Sequence, residues 1–179
     1  QPGEDHSSNG TYCYITQNSS NQSNPAGQTD VDGGQTTLLS PLYDLSEYDV
    51  ALVSYWKWYT NNQGNNPGTD YWMVDISNDG GNNWVSIENT NDSNNYWLFK
   101  QILISDFVEL TSQIQFRFIA EDIFHEGDVG SGGSLVEAGL DDFLIEVFEE
   151  NSTSCMLGDL NEDLLINVQD IVTMVSLII

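Results

Sequence analysis

The run Val50-Ala-Leu-Val-Ser-Tyr-Trp-Lys-Trp-Tyr59 is the longest strand-like apolar segment of the chain's first 150 residues. Its β-branched and aromatic residues favour a β-strand. Successive side chains of a strand point to opposite faces, so the two tryptophans share one face, and Tyr55, Lys57 and Tyr59 share the other. One of these faces has to fill a core. The run therefore predicts a central strand of a β-rich fold.

Shorter segments of the same kind lie on both sides of this run, separated by residues typical of turns. The turn signal at 78–83 predicts a hairpin, in which Asp79 caps backbone N–H groups and Trp84 packs back onto the sheet. No helical periodicity precedes residue 167, so residues 1–150 are predicted to be all-β, an antiparallel β-sandwich or jelly roll. The predicted strands are 11–16, 35–40, 50–59, 71–77, 84–88, 96–104, 113–120 and 135–148.

The charge balance is extreme, because 28 acidic residues stand against three basic ones and give a formal net charge of −25. Such a chain repels nucleic acids and anionic membranes, so both are excluded as partners. No apolar run approaches the ~20 residues that span a bilayer. The excess of carboxylate suits bound divalent cations or salty surroundings. It equally suits an extracellular protein that its charge keeps soluble.

Loops rich in Asn, Ser, Thr and Gly are typical of secreted β-proteins, and we expect an extracellular or cell-surface location. The first residues, Gln1-Pro-Gly-Glu-Asp5, are polar and acidic and do not form a signal peptide. We therefore expect a mature product or a piece of a longer precursor. Cys13 and Cys155 could pair in an oxidising compartment or remain separate thiols, and the sequence leaves both possibilities open.

Segment 159–170 carries oxygen-bearing side chains at loop positions 1, 3, 5, 9 and 12, and the apolar run 171–179 follows it. Ca²⁺ takes about six to eight oxygen ligands, and this spacing wraps them around one point. The candidate ligands are the side chains of Asp159, Asn161, Asp163, Asn167 and Asp170 and the backbone carbonyl of Leu165. The alternative is a polar turn before an apolar helix.

Within this segment, Gly158-Asp-Leu-Asn-Glu-Asp163 and Ile166-Asn-Val-Gln-Asp170-Ile171 resemble one repeat of a type I dockerin, a duplicated calcium-loop-and-helix module of secreted bacterial proteins. The resemblance implies Ca²⁺ binding and a cohesin-like partner. Two departures weaken it: Leu164 occupies the turn position that favours glycine, and the second repeat is missing. Residues 151–179 are therefore interpreted as a linker plus half of such a module, a short calcium loop and helix.

Two acidic pairs, Asp30 with Asp32 and Asp141 with Asp142, form a second candidate metal site. Adjacent carboxylates within an apolar terminal strand are costly, and almost no Lys or Arg is available to pair with them. A structural Ca²⁺ that clamps the first loop to the last strand would offset this cost. The alternative is two Asp-rich turns exposed to solvent.

Three segments extend the comparison to residues 1–150. They are Asp30-Val-Asp-Gly-Gly-Gln-Thr-Thr-Leu-Leu-Ser-Pro41, Ser77-Asn-Asp-Gly-Gly-Asn-Asn-Trp84 and Ser134-Leu-Val-Glu-Ala-Gly-Leu-Asp-Asp-Phe143. Together they resemble a MAM-like jelly-roll domain of the kind appended to secreted bacterial peptidases, notably zinc carboxypeptidases. The resemblance implies a non-catalytic sandwich with structural calcium near its terminal strands, and it assigns that metal to Asp30, Asp32, Asp141 and Asp142.

Aromatic residues concentrate between residues 55 and 97 and could stack on the faces of sugar rings. Core packing is the competing role for most of them. Tyr59, Tyr71 and Trp97 lie beside Asn-rich loops and are the candidates for exposed contacts with a glycan or cell-surface ligand.

The sequence contains no H-E-x-x-H pattern, phosphate loop or nucleophile elbow. His6 and His125 lie in acidic loops and would form a metal site only if those loops met. We therefore predict a non-catalytic, calcium-stabilised extracellular binding or adhesion module, an accessory domain of a secreted bacterial protein such as a zinc carboxypeptidase. The alternative is a self-assembling surface or filament subunit that associates through its apolar segment 168–179.

Overall fold

Eight β-strands form the framework of the residues that the computed structural model describes, which are 2–17, 29–31, 33–124 and 133–149. The strands are β1 (Tyr14–Ile15), β2 (Gly34–Leu39), β3 (Val50–Thr60), β4 (Trp72–Ser77), β5 (Val85–Thr90), β6 (Asn94–Leu103), β7 (Gln115–Asp122) and β8 (Glu137–Phe148). A short 3-10 helix, Ile104–Asp106, follows β6. Each predicted strand corresponds to an observed one, although β1 is shorter than predicted. In these ranges, no helix has the length and apolar character needed to cross a membrane.

The strands form two four-stranded antiparallel sheets, with the orders β1-β8-β3-β6 and β2-β7-β4-β5. The chain passes from one sheet to the other at most connections, which gives the eight-stranded jelly roll. The predicted fold class, an all-β antiparallel sandwich or jelly roll, is confirmed. The strands all belong to one compact unit, Gln1–Phe148. The predicted calcium loop and helix within 151–179 lie outside the described residues.

β3 is an inner strand of the first sheet, because β8 pairs along one side of it and β6 along the other. The odd-numbered residues from Ala51 to Tyr59 are buried. Trp56 and Trp58 alternate with them and point away from the space between the sheets. The predicted central position of this strand and the predicted division of its side chains between two faces are confirmed.

Aromatic rings from both sheets meet in the core. Tyr55 of β3 and Phe118 of β7 pack edge to face, with 5.3 Å between their ring centroids. Phe143 of β8 contacts Phe118 and Phe116. Fully burying a side chain of this kind contributes about 1.5–3 kcal/mol, so the interdigitated rings are a major part of what holds the two sheets together. The buried aliphatic part of the core includes Val53, Val74, Ile76, Ile104, Ile114 and Val136.

The predicted hairpin connects β4 and β5. Asp79 accepts hydrogen bonds from the backbone N–H and the side-chain amide of Asn83 at 2.8 and 2.6 Å, and the hydrogen bonds from Asn83 lower its pKa to about 2. Gly80 and Gly81 have φ values of 72° and 87°, a region that glycine adopts without steric cost. Trp84 packs under the guanidinium of Arg117, with Cζ 4.4 Å from the ring centroid. The turn chemistry predicted for this segment is confirmed.

A buried polar cluster around Glu88 of β5 joins the two sheets. Its Oε2 accepts hydrogen bonds from the hydroxyl of Tyr55 at 2.8 Å and from Nε1 of Trp72 at 3.1 Å. Its Oε1 lies 2.6 Å from Nζ of Lys57 and 3.1 Å from Nζ of Lys100. Burial alone would raise the pKa of Glu88, but the hydrogen bond and charge of Lys57 outweigh burial, and the pKa is lowered. Both lysines of the chain are therefore committed to one carboxylate.

Candidate functional site

The first sheet carries aromatic side chains on the face that points away from the core. Trp56 of β3 contacts Phe99 of β6, with 5.3 Å between the ring centroids. Segment 2–10 packs against this face: the ring of His6 stacks on Trp56 at 3.7 Å, and Nε1 of Trp97 donates a hydrogen bond to the backbone carbonyl of Glu4 at 3.2 Å. The N-terminal segment therefore covers part of an aromatic surface and leaves part of it open.

A groove of about 480 Å³ opens between this segment and the start of β6. Tyr96 is 60% exposed, whereas Trp58 is 4% exposed, so Tyr96 offers the most accessible ring of the groove. Concave sites that combine apolar rings with a few polar groups are typical of ligand binding. The groove is lined by Pro2, Gly3, Glu4, Asp5, His6, Trp58, Asn95, Tyr96 and Trp97.

Gly139 of β8 sets how closely Trp97 approaches the sheet. A Cβ atom at this position would lie 3.1 Å from Cη2 of Trp97 and 3.4 Å from Cγ of Pro2. Glycine thus lets both the indole and the N-terminal segment lie directly on the strand. The groove depends on this close approach.

Of the three predicted ligand contacts, only Trp97 lines the groove. The expectation that Tyr59 is exposed is wrong, because the alternation of β3 turns it inward, where it is 1% exposed and packs near Trp72. Tyr71 is half-buried and lies against Phe124, with 6.2 Å between ring centroids, away from the groove. The structure therefore does not bring these three aromatic residues together.

Sequence reasoning missed the contribution of segment 2–6 to the groove. This segment has no strand or helix pattern, so nothing in the sequence places it on the aromatic face. Tyr96 and Asn95, in contrast, carried a usable signal. They directly precede Trp97 at the start of a predicted strand, and Tyr96 has the ring that a binding surface requires.

The predicted calcium ligands Asp141 and Asp142 contact the N-terminal segment. Oδ2 of Asp141 accepts a hydrogen bond from the backbone N–H of His6 at 2.9 Å, and Oδ2 of Asp142 lies 2.8 Å from Nδ1 of His6. Asp142 has a φ of 48°, which non-glycine residues rarely adopt. Oδ2 of Asp5 is buried nearby without a hydrogen-bond partner among the described residues. Burial raises the pKa of the Cys13 thiol, and the charges of Asp141 and Asp5 raise it further.

Asp30 belongs to a different part of the fold. Its neighbour Val31 bridges to Val136, and the five residues from there to Asp141 span about 16 Å in an extended strand. The charge of Asp30 acts instead on Asp122 at the end of β7. The structure therefore does not bring Asp30 and Asp141 together around one point.

Asp30, Asp70 and Asp122 form a second acidic cluster, in which Asp70 is completely buried. One carboxylate oxygen accepts hydrogen bonds from the backbone N–H groups of Ile123 and Phe124 at 2.9 and 3.2 Å. The other accepts hydrogen bonds from the hydroxyls of Thr69 and Ser134. Burial opposes ionisation, but these four donors outweigh burial and lower the pKa of Asp70.

Metal binding stays a prediction at both sites. Within the described ranges, no three His, Cys, Asp or Glu side chains are grouped closely enough to hold a metal ion. Asp32 and His125 lie outside these ranges. So do all the candidate ligands of the C-terminal loop, Asp159, Asn161, Asp163, Leu165, Asn167 and Asp170.

No family model matches the chain, and no curated protein sequence matches it. Among solved structures, TmCBM61 in complex with β-1,4-galactotriose is 17% identical with a TM-score of 0.36, over 67% of this chain and 68% of that chain. Family 16 Carbohydrate Binding Module-2 is 15% identical with a TM-score of 0.37, over 66% of this chain and 74% of that chain. Similarity at this level neither assigns the chain to a family nor indicates its ligand. The resemblances to MAM-like domains and dockerins stay predictions.

Proposed function

We propose that the jelly-roll unit is a glycan-binding module, and the observation that carries this proposal is the groove between the N-terminal segment and β6. Tyr96 and Trp97 line it with aromatic rings against which the apolar face of a sugar can pack, whereas Trp58 is buried. The carboxylate of Glu4 and the amide of Asn95 lie in the same groove and can bind hydroxyl groups as acceptor and donor. Rings and polar groups in one concavity match the two kinds of surface that a sugar presents.

The proposed role is binding without turnover. His6 lines the groove, but its Nδ1 lies 2.8 Å from Asp142 and its ring stacks on Trp56. These contacts anchor the N-terminal segment and leave the imidazole engaged on two sides. Incubation of the purified chain with a bound oligosaccharide, followed by mass spectrometry, should return the oligosaccharide intact. A shortened product would contradict the non-catalytic role.

Replacement of Tyr96 tests the groove directly. Tyr96→Ala removes its most exposed ring, and we expect the affinity for a bound oligosaccharide to fall about tenfold, or ~1.4 kcal/mol. A glycan array identifies the oligosaccharide, and isothermal titration calorimetry measures the affinity. Tyr12→Ala is a matched control, because Tyr12 is 90% exposed and lies outside the groove. No binding on the array, or an equal loss in both variants, would contradict the proposal.

We further propose that calcium stabilises this unit. The support is the sequence, in which 28 acidic residues stand against three basic ones and the MAM-like pattern implies structural calcium. A bound cation would offset the cost of holding carboxylates close together. Thermal melting with and without EGTA tests this idea, since ligands that bind only the folded state raise its melting temperature. An identical melting temperature in both conditions would remove the calcium argument.

The cellular context is also a proposal. We infer that the unit works outside the cell as an accessory domain of a secreted bacterial protein. Its acidic composition and its Asn-, Ser- and Gly-rich loops support an extracellular location, and the MAM-like sequence pattern supports a peptidase as the parent protein. Detection of the native protein in the culture medium, in one polypeptide with a peptidase domain, is the expected result. Retention inside the cell would contradict it.

Self-assembly is a second candidate function, favoured by an apolar area on the outward face of the first sheet. Val50 and Phe148 are paired directly across β3 and β8 and are 36% and 50% exposed. Leu144 and Phe99, on the same face, are 52% and 50% exposed. Sedimentation velocity across a concentration series should then show a reversible dimer that Leu144→Lys abolishes. A monomer at every concentration would exclude this surface. The apolar segment 168–179 lies outside the described residues.

A further inference from the structure

The glycan groove is negatively charged. Glu4 and Asp5 both line it. Oδ1 of Asp5 accepts hydrogen bonds from the backbone N–H and the hydroxyl of Ser7 at 2.8 and 2.9 Å. Its Oδ2 is buried and has no hydrogen-bond partner among the described residues. Asp5 therefore adds a negative charge to the wall of the groove, but its buried Oδ2 is closed to direct contact with a ligand.

The Lys and Arg side chains of the protein are all engaged elsewhere, and His6, which lines the groove, has its Nδ1 2.8 Å from Oδ2 of Asp142. The sequence has three Lys and Arg residues in total. Lys57 and Lys100 both bind Glu88, and Nε of Arg117 lies 2.7 Å from Oδ2 of Asp75. None of the three lines the groove. An anionic ligand would therefore meet carboxylates and aromatic faces, with no Lys or Arg to receive it.

A positively charged ligand, in contrast, would be attracted to the groove. An ammonium group would be attracted to the carboxylates of Glu4 and Asp5, within the field of a chain whose formal net charge is −25. The faces of Tyr96 and Trp97 would add to this attraction, because aromatic rings bind cations through their negative faces. Acetylation of the amine would remove both contributions and leave the shape of the sugar ring unchanged.

We propose that the groove selects glycans built from amino sugars whose amine is free and protonated, over neutral and acidic glycans. This inference rests on the proposed glycan-binding function and names its ligand class. Carboxylates and rings in one concavity, together with the absence of Lys and Arg from its lining, carry the argument.

A matched pair of probes tests it. Fully deacetylated chitotetraose and its tetra-N-acetylated counterpart share one backbone and differ in the charge of their amines. Titration calorimetry at about pH 5.5 should show the deacetylated tetramer binding about tenfold more tightly. EGTA in the buffer keeps calcium away from Asp5. The difference in affinity between the two tetramers should shrink at about 0.5 M salt, because dissolved ions screen the attraction between ammonium and carboxylate groups.

Two variants locate the selectivity. Glu4→Gln removes a charge and keeps the backbone carbonyl that Trp97 uses, and Asp5→Asn keeps an acceptor for Ser7. Each should reduce the preference for the deacetylated tetramer about threefold, because it should weaken binding of that tetramer more than binding of the acetylated one. Glu47→Gln is the control, because Glu47 is exposed and lies outside the groove.

The outcomes separate this inference from the function on which it rests. Equal or tighter binding of the acetylated tetramer, tightest binding of an oligogalacturonate, or a full preference in both groove variants would overturn the amino-sugar selectivity while glycan binding stands. If no glycan of any charge binds, the proposed function itself fails, and the inference fails with it.

Discussion

Asp122 is expected to make the stability of the fold depend on pH. Its side chain is 1% exposed, and its Oδ1 has no hydrogen-bond partner within the described ranges. Gly33 donates a single long hydrogen bond of 3.4 Å to Oδ2. Burial is the largest cause of the raised pKa of Asp122, and the charges of Asp70 and Asp30 raise it further, to about 6. Between pH 3.8 and about pH 6, Asp122 is therefore protonated in the folded protein and ionised in the unfolded chain.

The sign and size of the effect follow from this difference. A group whose pKa is raised on folding contributes stability at low pH, and this contribution is lost as the pH rises from 3.8 to about 6. That interval, at about 1.4 kcal/mol per pH unit, corresponds to a loss of ~3 kcal/mol. Asp70 has the opposite sign, because its pKa is lowered, and its contribution is lost as the pH falls below its ordinary value of 3.8. Stability is therefore expected to peak near pH 4.

Urea unfolding followed by tryptophan fluorescence measures this loss. With a slope of about 2 kcal/mol per molar, the midpoint should fall by about 1.5 M urea between pH 4 and pH 7.5 in EGTA. Asp122→Asn resembles the neutral acid, so this variant should lack most of that shift. Asp106→Asn serves as the control, because Asp106 is exposed. If Asp122→Asn retains the full dependence on pH, the reasoning about this carboxyl group is refuted.

Two further substitutions test other parts of the fold. Glu88→Gln leaves Lys57 buried without a counter-charge and should lower the free energy of unfolding by about 3–5 kcal/mol, measured by urea unfolding. The added substitution Lys57→Met should recover much of that loss. If it recovers none, the ion pair is not the cause of the destabilisation. Gly139→Ala should push Trp97 outward and weaken glycan binding about threefold in calorimetry, whereas Ser86→Ala, at an exposed strand position outside the groove, should not. Equal effects of the two substitutions would show that the close approach to Trp97 is unimportant.

The strands could be predicted because alternation and turn chemistry are local. Alternation also divided the side chains of β3 correctly between two faces, but it could not decide which face is inside. Lys57 shares its face with Tyr55 and Tyr59, and a lysine ordinarily marks the exposed side. Here the lysine is inside, because Glu88, which lies 31 residues further along the chain, meets it from the opposite sheet. A partner so distant in sequence leaves no local signal.

The candidate site could be predicted only in part, for the same reason. Trp97 stands beside turn residues at the start of a strand, and this local context is enough to suggest an exposed ring. The separation of Asp30 from Asp141 depends on the point at which the first loop meets β8, and topology sets that point. The position of Glu4 and Asp5 depends on a segment that makes no strand of its own and contacts the sheet through the stacking of His6 on Trp56.

The scarcity of cations explains how the buried carboxylates are arranged. Glu88 receives both lysines, and Asp75 receives the arginine. Asp70 has no cation but is compensated by two backbone N–H groups and two hydroxyls. Asp122 has the long hydrogen bond from Gly33 but no cation, and burial raises its pKa. Asp5 is the one of these five that lines the groove, where its charge can act on a bound ligand. Because Lys and Arg are so few, Asp122 has no cation to lower its pKa, and the carboxylates of the groove have no Lys or Arg beside them.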